Sequence, residues 1–177
     1  MKKFLLTRLL LISIGTIAQE TSDNVQQPSK WRVGGGIGLG FGNNDYFGFS
    51  ISPAIGYEIT PMIEAGVSAG YQYSKWSYAK QNLFNFGPYV NFYPINFLFI
   101  RSHFEHYVGT HKWESGNPNV SNIKENYDES ALWLGGGYRS PGKVSFHIGM
   151  MYNVLYKENS SIFSTGLRPM AGVSIGF

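Results

Sequence analysis

The chain has 177 residues, no cysteine and a formal net charge of +3. Lys2, Lys3 and Arg8, all near its start, account for that surplus, so the remainder is close to neutral. A near-neutral chain lacks the basic footprint of a nucleic-acid binder, and the missing cysteines exclude a disulfide framework, a thiolate metal site and a lipid-carrying N-terminal cysteine. Charged residues make up 14% against roughly 25% in soluble proteins, while aromatics reach 16% and glycines number 22, a balance that suits a β-protein facing lipid.

Residues 1–18 read as a secretory signal peptide: Lys2 and Lys3 form a basic start, Phe4 to Ile17 an apolar core, and Thr16-Ile17-Ala18 a small-residue cleavage site after Ala18. Residues 19–30 are polar and without periodicity, which predicts a flexible periplasmic leader. From Trp31 to Phe177 the chain divides into eight alternating segments that form one domain. The first, Trp31–Phe41, sets Trp31, Val33, Ile37, Leu39 and Phe41 against Arg32 and four glycines, and a Gly42-Asn43-Asn44-Asp45 turn follows. The second and third are Tyr46–Glu58 and Met62–Ser74, joined through Pro61. The fourth, Leu83–Tyr93, carries Phe84, Phe86, Val90 and Phe92 on one face, and the fifth is Phe97–Thr110. A polar stretch, 111–127, reads as the longest loop. Asp128–Arg139, Lys143–Lys157 and Leu167–Phe177 complete the set, the last ending on an aromatic residue in mid-alternation.

Connections after the second, fourth and sixth segments are about three residues long, whereas three of the other four are longer and polar. That parity predicts an eight-stranded antiparallel up-and-down transmembrane β-barrel in an outer membrane, with both termini in the periplasm. The small face of the segments is dominated by glycine and serine rather than by Lys, Glu and Thr, so it belongs in a narrow lumen and the bulky face belongs in lipid. Pro53, Pro88 and Pro169 fall inside segments, where bulges are expected because proline gives no donor to a ladder. Ser102 and His106 fall on the lipid face, and Ser102 is a further candidate for a bulge or register shift.

The lumen face gathers Arg32, Glu64, Arg101, His103, Glu105, His147 and Arg168, with Glu58 near the periplasmic rim. Charges in so narrow a space must pair, which predicts an ion-pair network that fixes register. His103, Glu105 and His147 lack diagnostic metal-ligand spacing, so neither a metal site nor another cofactor is expected. A barrel enzyme acting on lipid A or phospholipid would need a serine and a histidine within hydrogen-bond distance on the outer or rim face. Ser102 and His106, four residues apart on a strand, stand roughly 13 Å apart, and Ser145 with His147 points into the lumen, so no enzyme is predicted. Trp31, Tyr57 and Tyr93 near the periplasmic side, and Trp76, Tyr78 and Trp113 near the loops, read as interfacial girdles.

The runs Ile51-Ser-Pro-Ala-Ile-Gly-Tyr57, Gly66-Val-Ser-Ala-Gly-Tyr71 and Phe86-Gly-Pro-Tyr-Val-Asn-Phe-Tyr93 resemble the small outer-membrane β-barrel family of Bacteroidota, itself similar to the OmpA/OmpX-type eight-stranded barrels. The resemblance spans essentially all of 31–177, and Ala18-Gln19 is typical of signals in that phylum. That family often has a basic residue where Asn91 stands, so the lumen pairing is expected to differ here. Val173, Ile175 and Phe177 match the C-terminal signal read by barrel-assembly machinery. The expectation is therefore a structural or surface-interaction protein with a closed polar lumen. Its partners would be outer-membrane lipid, the assembly machinery during biogenesis, and an extracellular ligand at loop 111–127. A narrow pore and a soluble lipocalin-like binder are the remaining rivals.

Overall fold

The computed structural model describes residues 30–42, 45–113 and 123–177. The predicted signal peptide 1–18, the leader 19–30 except Lys30, Asn43 and Asn44 of the first turn, and the centre of loop 111–127 lie outside the described residues. Eight strands follow one another: β1 Trp31–Gly42, β2 Tyr46–Thr60, β3 Ile63–Trp76, β4 Ala79–Ile95, β5 Leu98–Trp113, β6 Ile123–Arg139, β7 Val144–Asn153 and β8 Leu167–Gly176. Each pairs antiparallel with its chain neighbours, and β1 pairs with β8, which closes an up-and-down barrel.

Side chains on a strand alternate between faces, and in a barrel of this size the interior has little room. The alternation therefore resolves by volume. Ile37 and Phe41 on β1 are each 76% exposed on the outer face, while the glycines between them face inward. Phe84, Phe86, Val90 and Phe92 of β4 likewise lie outside, and Leu83, Asn85, Tyr89, Asn91 and Tyr93 are buried inside. At the closure, Arg32 stands opposite Gly176 and Val33 opposite Ile175. The Phe177 amide donates to the Trp31 carbonyl at 3.1 Å.

The middle strands are longer than the sequence predicts. Lys75 pairs with Lys80 and Trp76 with Ala79, so the expected loop after the third segment shrinks to a turn at Ser77 and Tyr78. His111–Trp113 pairs with Ile123–Glu125, which converts both ends of the expected 111–127 loop into strand. Polar composition suggested loops there because these rungs stand beyond the apolar belt, where both faces of a strand carry polar groups. Strand β7 ends earlier than predicted, at Asn153. The Asn153 Oδ1 accepts from the amides of Leu132 and Leu155 at 3.2 and 3.0 Å, so the side chain takes over the ladder's role.

The prolines produce interruptions rather than the expected bulges. Amides point alternately to the two neighbours of a strand, so each missing donor has a direction. The Glu58 amide donates to Lys30 at the start of β1, which turns the odd-numbered amides of β2 toward β3. Pro53 thus lacks a donor toward β3, and there the ladder skips Ser52 and Pro53 before resuming in unchanged register, Ile51 opposite Tyr71 and Ala54 opposite Ser68. The Tyr93 amide points to Met62 beside β3, so the gap at Pro88 faces β5, and the β4–β5 ladder skips Gly87 and Pro88. The Gly176 amide points to Lys143 beside β7, so Pro169 lacks its donor toward β1. The β1–β8 ladder runs from Arg32 to Gly35 and stops before reaching Pro169. At Ser102, where a shift was also expected, both ladders continue without irregularity, with Val90 and Leu134 opposite it.

Candidate functional site: a polar lumen closed by aromatic side chains

All seven predicted lumen residues line one cavity of about 170 Å³. They fall into two groups. Toward the short-turn end, the Arg32 guanidinium donates to the Glu58 carboxylate and lies 3.8 Å from Glu64. Glu64 is 4% exposed, and burying a carboxylate is tolerable only with hydrogen bonds to its oxygens. It accepts from the hydroxyls of Tyr89 and Tyr93 at 3.0 and 2.7 Å and from the Asn91 amide at 3.2 Å. Tyr89 reaches Glu64 because Gly56 and Gly66 leave the space. A Cβ on Gly66 would lie 2.6 Å from the Tyr89 ring, and one on Gly56 would lie 2.6 Å from its hydroxyl.

Nearer the centre, Glu105 is 2% exposed and holds three partners: Arg168 at 2.8 Å, the Tyr107 hydroxyl at 2.6 Å and the Asn85 amide. Arg168 also donates to the Tyr107 hydroxyl at 2.8 Å and lies 4.0 Å over the Trp133 ring. His103 is 3.8 Å from Glu105 and hydrogen-bonds the Ser68 hydroxyl at 2.8 Å.

Two predicted members of the network have no carboxylate partner among the described residues. Arg101 donates to Asn91 Oδ1 at 2.6 Å and stacks 4.6 Å over Tyr89. His147 packs edge-on against Phe99, with ring centroids 6.0 Å apart. Of the polar partners that do most of the satisfying, Asn85, Ser68, Tyr89 and Tyr107 were not assigned to the network from the sequence, while Asn91 and Tyr93 were named there in other connections. Parity was the available signal: Ser68 and Tyr107 share the inward face of their strands with predicted charges, Tyr89 lies opposite His103, and Asn91 lies opposite both Glu64 and Arg101. No group of three metal-ligating side chains gathers among the described residues.

Three of the expected girdle aromatics are not on the outer face. Tyr93 is 8% exposed, with its hydroxyl on Glu64, because an odd position on β4 points inward. Trp76 and Trp113 lie on the inner side of the extended β3–β5 wall, where His111 stacks against both, at 6.0 and 4.6 Å. Trp31 and Tyr57 do stand outside, in an edge-to-face pair 5.1 Å apart, and Tyr78 is exposed at its turn.

The long-loop end of the lumen is filled. Leu83, Tyr107, Ala131, Trp133 and Met151 form a buried cluster, and the β7–β8 connection folds onto it. Phe163 sits edge-on to Tyr107 at 4.9 Å and to Trp133 at 5.2 Å. Glu129 anchors that connection by accepting from the Ser161 hydroxyl and the Ile162 amide, both at 2.6 Å. No known protein-family model matches the chain. No curated protein matches it either.

Proposed function

We propose that this protein is an outer-membrane barrel with a structural or surface-interaction role, anchored by its outer face and presenting the β3–β6 extension and the β7–β8 connection to the exterior. The observation that carries this reading is the outer face itself. Exposed Phe, Ile, Leu and Val side chains on all eight strands stand 37% to 76% open there, an area far beyond what a water-soluble monomer leaves uncovered. A closed ladder needs no water to satisfy its backbone, so lipid is the solvent that suits this surface. The Phe163 plug and the paired charges beneath it support a closed lumen over a pore. Asymmetric connections support an orientation with Pro61 and Met62 in the periplasm and Tyr78 outside.

Two measurements test the reading. The folded protein is expected to fractionate with outer membranes and to change gel mobility on boiling; a soluble, heat-insensitive species would overturn it. Because the chain has no cysteine, Tyr78→Cys and Met62→Cys each provide a single thiol. A membrane-impermeant maleimide is expected to label Tyr78→Cys in intact cells and Met62→Cys only after the outer membrane is breached. The reverse pattern would invert the topology.

A further inference from the structure

His106 on β5 and Ser130 on β6 are directly opposed across the ladder, on the outer face of the barrel. The His106 Nδ1 lies 3.0 Å from the Ser130 hydroxyl oxygen. On the other side of the ring, Nε2 lies 3.5 Å from Asp128 Oδ1. A carboxylate facing Nε2 favours the tautomer that carries its proton there, which leaves the Nδ1 lone pair for the serine. The ring is held from a third side by Phe86, edge-on at 5.6 Å. A nucleophile, a base and a group that orients the base thus stand in a row, the arrangement that activates a serine for acyl transfer. Sequence reasoning missed it because Ser130 is 24 positions from His106 and only the register brings them together.

The height of this row on the barrel indicates the substrate. Below it the outer faces of β5 and β6 carry Phe104, Leu132 and Leu134; above it comes the mixed rung of Val108 and Asp128, and then Thr110 and Asn126. The hydroxyl therefore sits within two outer rungs of the level where the apolar belt has given way to polar side chains. In a bilayer that is the depth of the ester bonds joining acyl chains to a headgroup. We propose that Ser130, His106 and Asp128 form a lipid-facing esterase site whose substrate is an acyl ester of a membrane amphiphile. The inference rests on the outer-membrane reading above, because only a surrounding bilayer presents such esters to this face.

The chemistry balances with water as the second reactant. Ser130 Oγ attacks the ester carbonyl carbon while its proton passes to His106 Nδ1. The bond between that carbon and the alkoxy oxygen breaks, and the imidazolium returns the proton to the departing alcohol. Water then attacks the acyl-serine, giving its proton to His106. The bond from the acyl carbon to Oγ breaks, the proton returns to Ser130, and a carboxylic acid leaves. Ser130 and His106 are the catalytic residues, and Asp128 is a positioning residue.

The test uses the full chain refolded into phosphatidylethanolamine vesicles, with heat-dependent gel mobility as the check on folding. Expected results are covalent labelling by a fluorophosphonate that peptide mass mapping assigns to Ser130, and release of free fatty acid from the vesicles. Ser130→Ala and His106→Ala, folded by the same gel criterion, should lower that release at least about a hundredfold. Asp128→Asn should lower kcat with KM unchanged, a split that a purely packing role would not produce. Ser102→Ala, on the same outer face but outside the row, should behave as wild type. A mobility-shifting, membrane-inserted wild type that neither takes the label at Ser130 nor releases fatty acid above Ser130→Ala overturns the esterase while leaving the barrel assignment intact. The three side chains would then be polar groups satisfying one another at the belt's edge. Failure to insert at all would instead overturn the membrane reading and the esterase with it.

Discussion

Arg168 of β8 places its guanidinium 2.8 Å from the Glu105 carboxylate of β5, so an ion pair joins two strands that are not neighbours. Asn85 of β4 and Tyr107 complete the shell around the same carboxylate. Glu105→Ala leaves the part-buried Arg168 without its counter-charge, at a cost below the roughly 3–5 kcal/mol of a fully buried pair because water reaches the guanidinium. Glu105→Gln keeps hydrogen bonding and should lose less. Urea titration of folded protein in detergent micelles, read by gel mobility, should rank wild type above Glu105→Gln and Glu105→Ala last.

Gly66 is expected to be intolerant of any side chain. A Cβ there would meet the Ile55 carbonyl oxygen at 2.4 Å as well as the Tyr89 ring. Gly66→Val should therefore destabilise the barrel, and Tyr89→Ala should restore part of the loss by removing the softer of the two obstacles. A double-mutant cycle on unfolding midpoints measures this coupling, and strict additivity would show that the ring is not what the new methyls strike.

Phe163 holds the β7–β8 connection in the barrel mouth through two edge-to-face contacts, each contributing about 0.5–1.5 kcal/mol. In Phe163→Ala the connection should come free while the barrel stays folded. Limited proteolysis should then cut between Val154 and Gly166, with little change in the heat-dependent mobility shift. Trp133, relieved of its partner, should move its emission to longer wavelength.

Replacing Pro169 by alanine supplies an amide directed at β1 where the recorded ladder has already ended. Little change in stability is expected, under about 1 kcal/mol. Pro53→Ala and Pro88→Ala differ, since each returns a donor inside a ladder that resumes on both sides. Protection of the new amides at positions 53 and 88, with slower exchange at Ala69 and Phe104 across the two gaps, should accompany those two substitutions and have no counterpart in Pro169→Ala.

Much of this architecture was readable in the chain because period-two alternation and side-chain volume act together. In β1, β4 and β8 the faces follow directly from Ile37, Phe86 and Ile175 set against glycines and asparagines. Strand ends were harder to place. Lys75, Lys80, Lys112 and Lys124 have the composition of loops, yet they pair, since above an apolar belt a ladder can be wet on both faces. The charged lumen was identifiable by residue type, but its pairing was not. Whether Glu64 meets Arg32 or Tyr93 depends on register between strands far apart in sequence. Tyr93 shows the limit of reasoning by residue class: an aromatic near a strand end was assigned to a girdle, although its odd position on β4 already directed it inward. His106 and Ser130 show the same limit across strands, where contact is a property of alignment and no local motif marks it.

The four tall strands, β3 to β6, are consecutive, so the wall they raise beyond the apolar belt stands on one side only. A cylinder ordinarily has no front or back. This one does. Viewed along the barrel axis, Trp76, His111 and Trp113 form the inner surface of a half-screen, and the low side opens over the β1–β8 seam. The β7–β8 connection rests against that same wall, with Phe163 on Tyr107 of β5 and Trp133 of β6. The molecule thus carries a heading about its barrel axis, set by which hairpins were extended and independent of what its lumen contains.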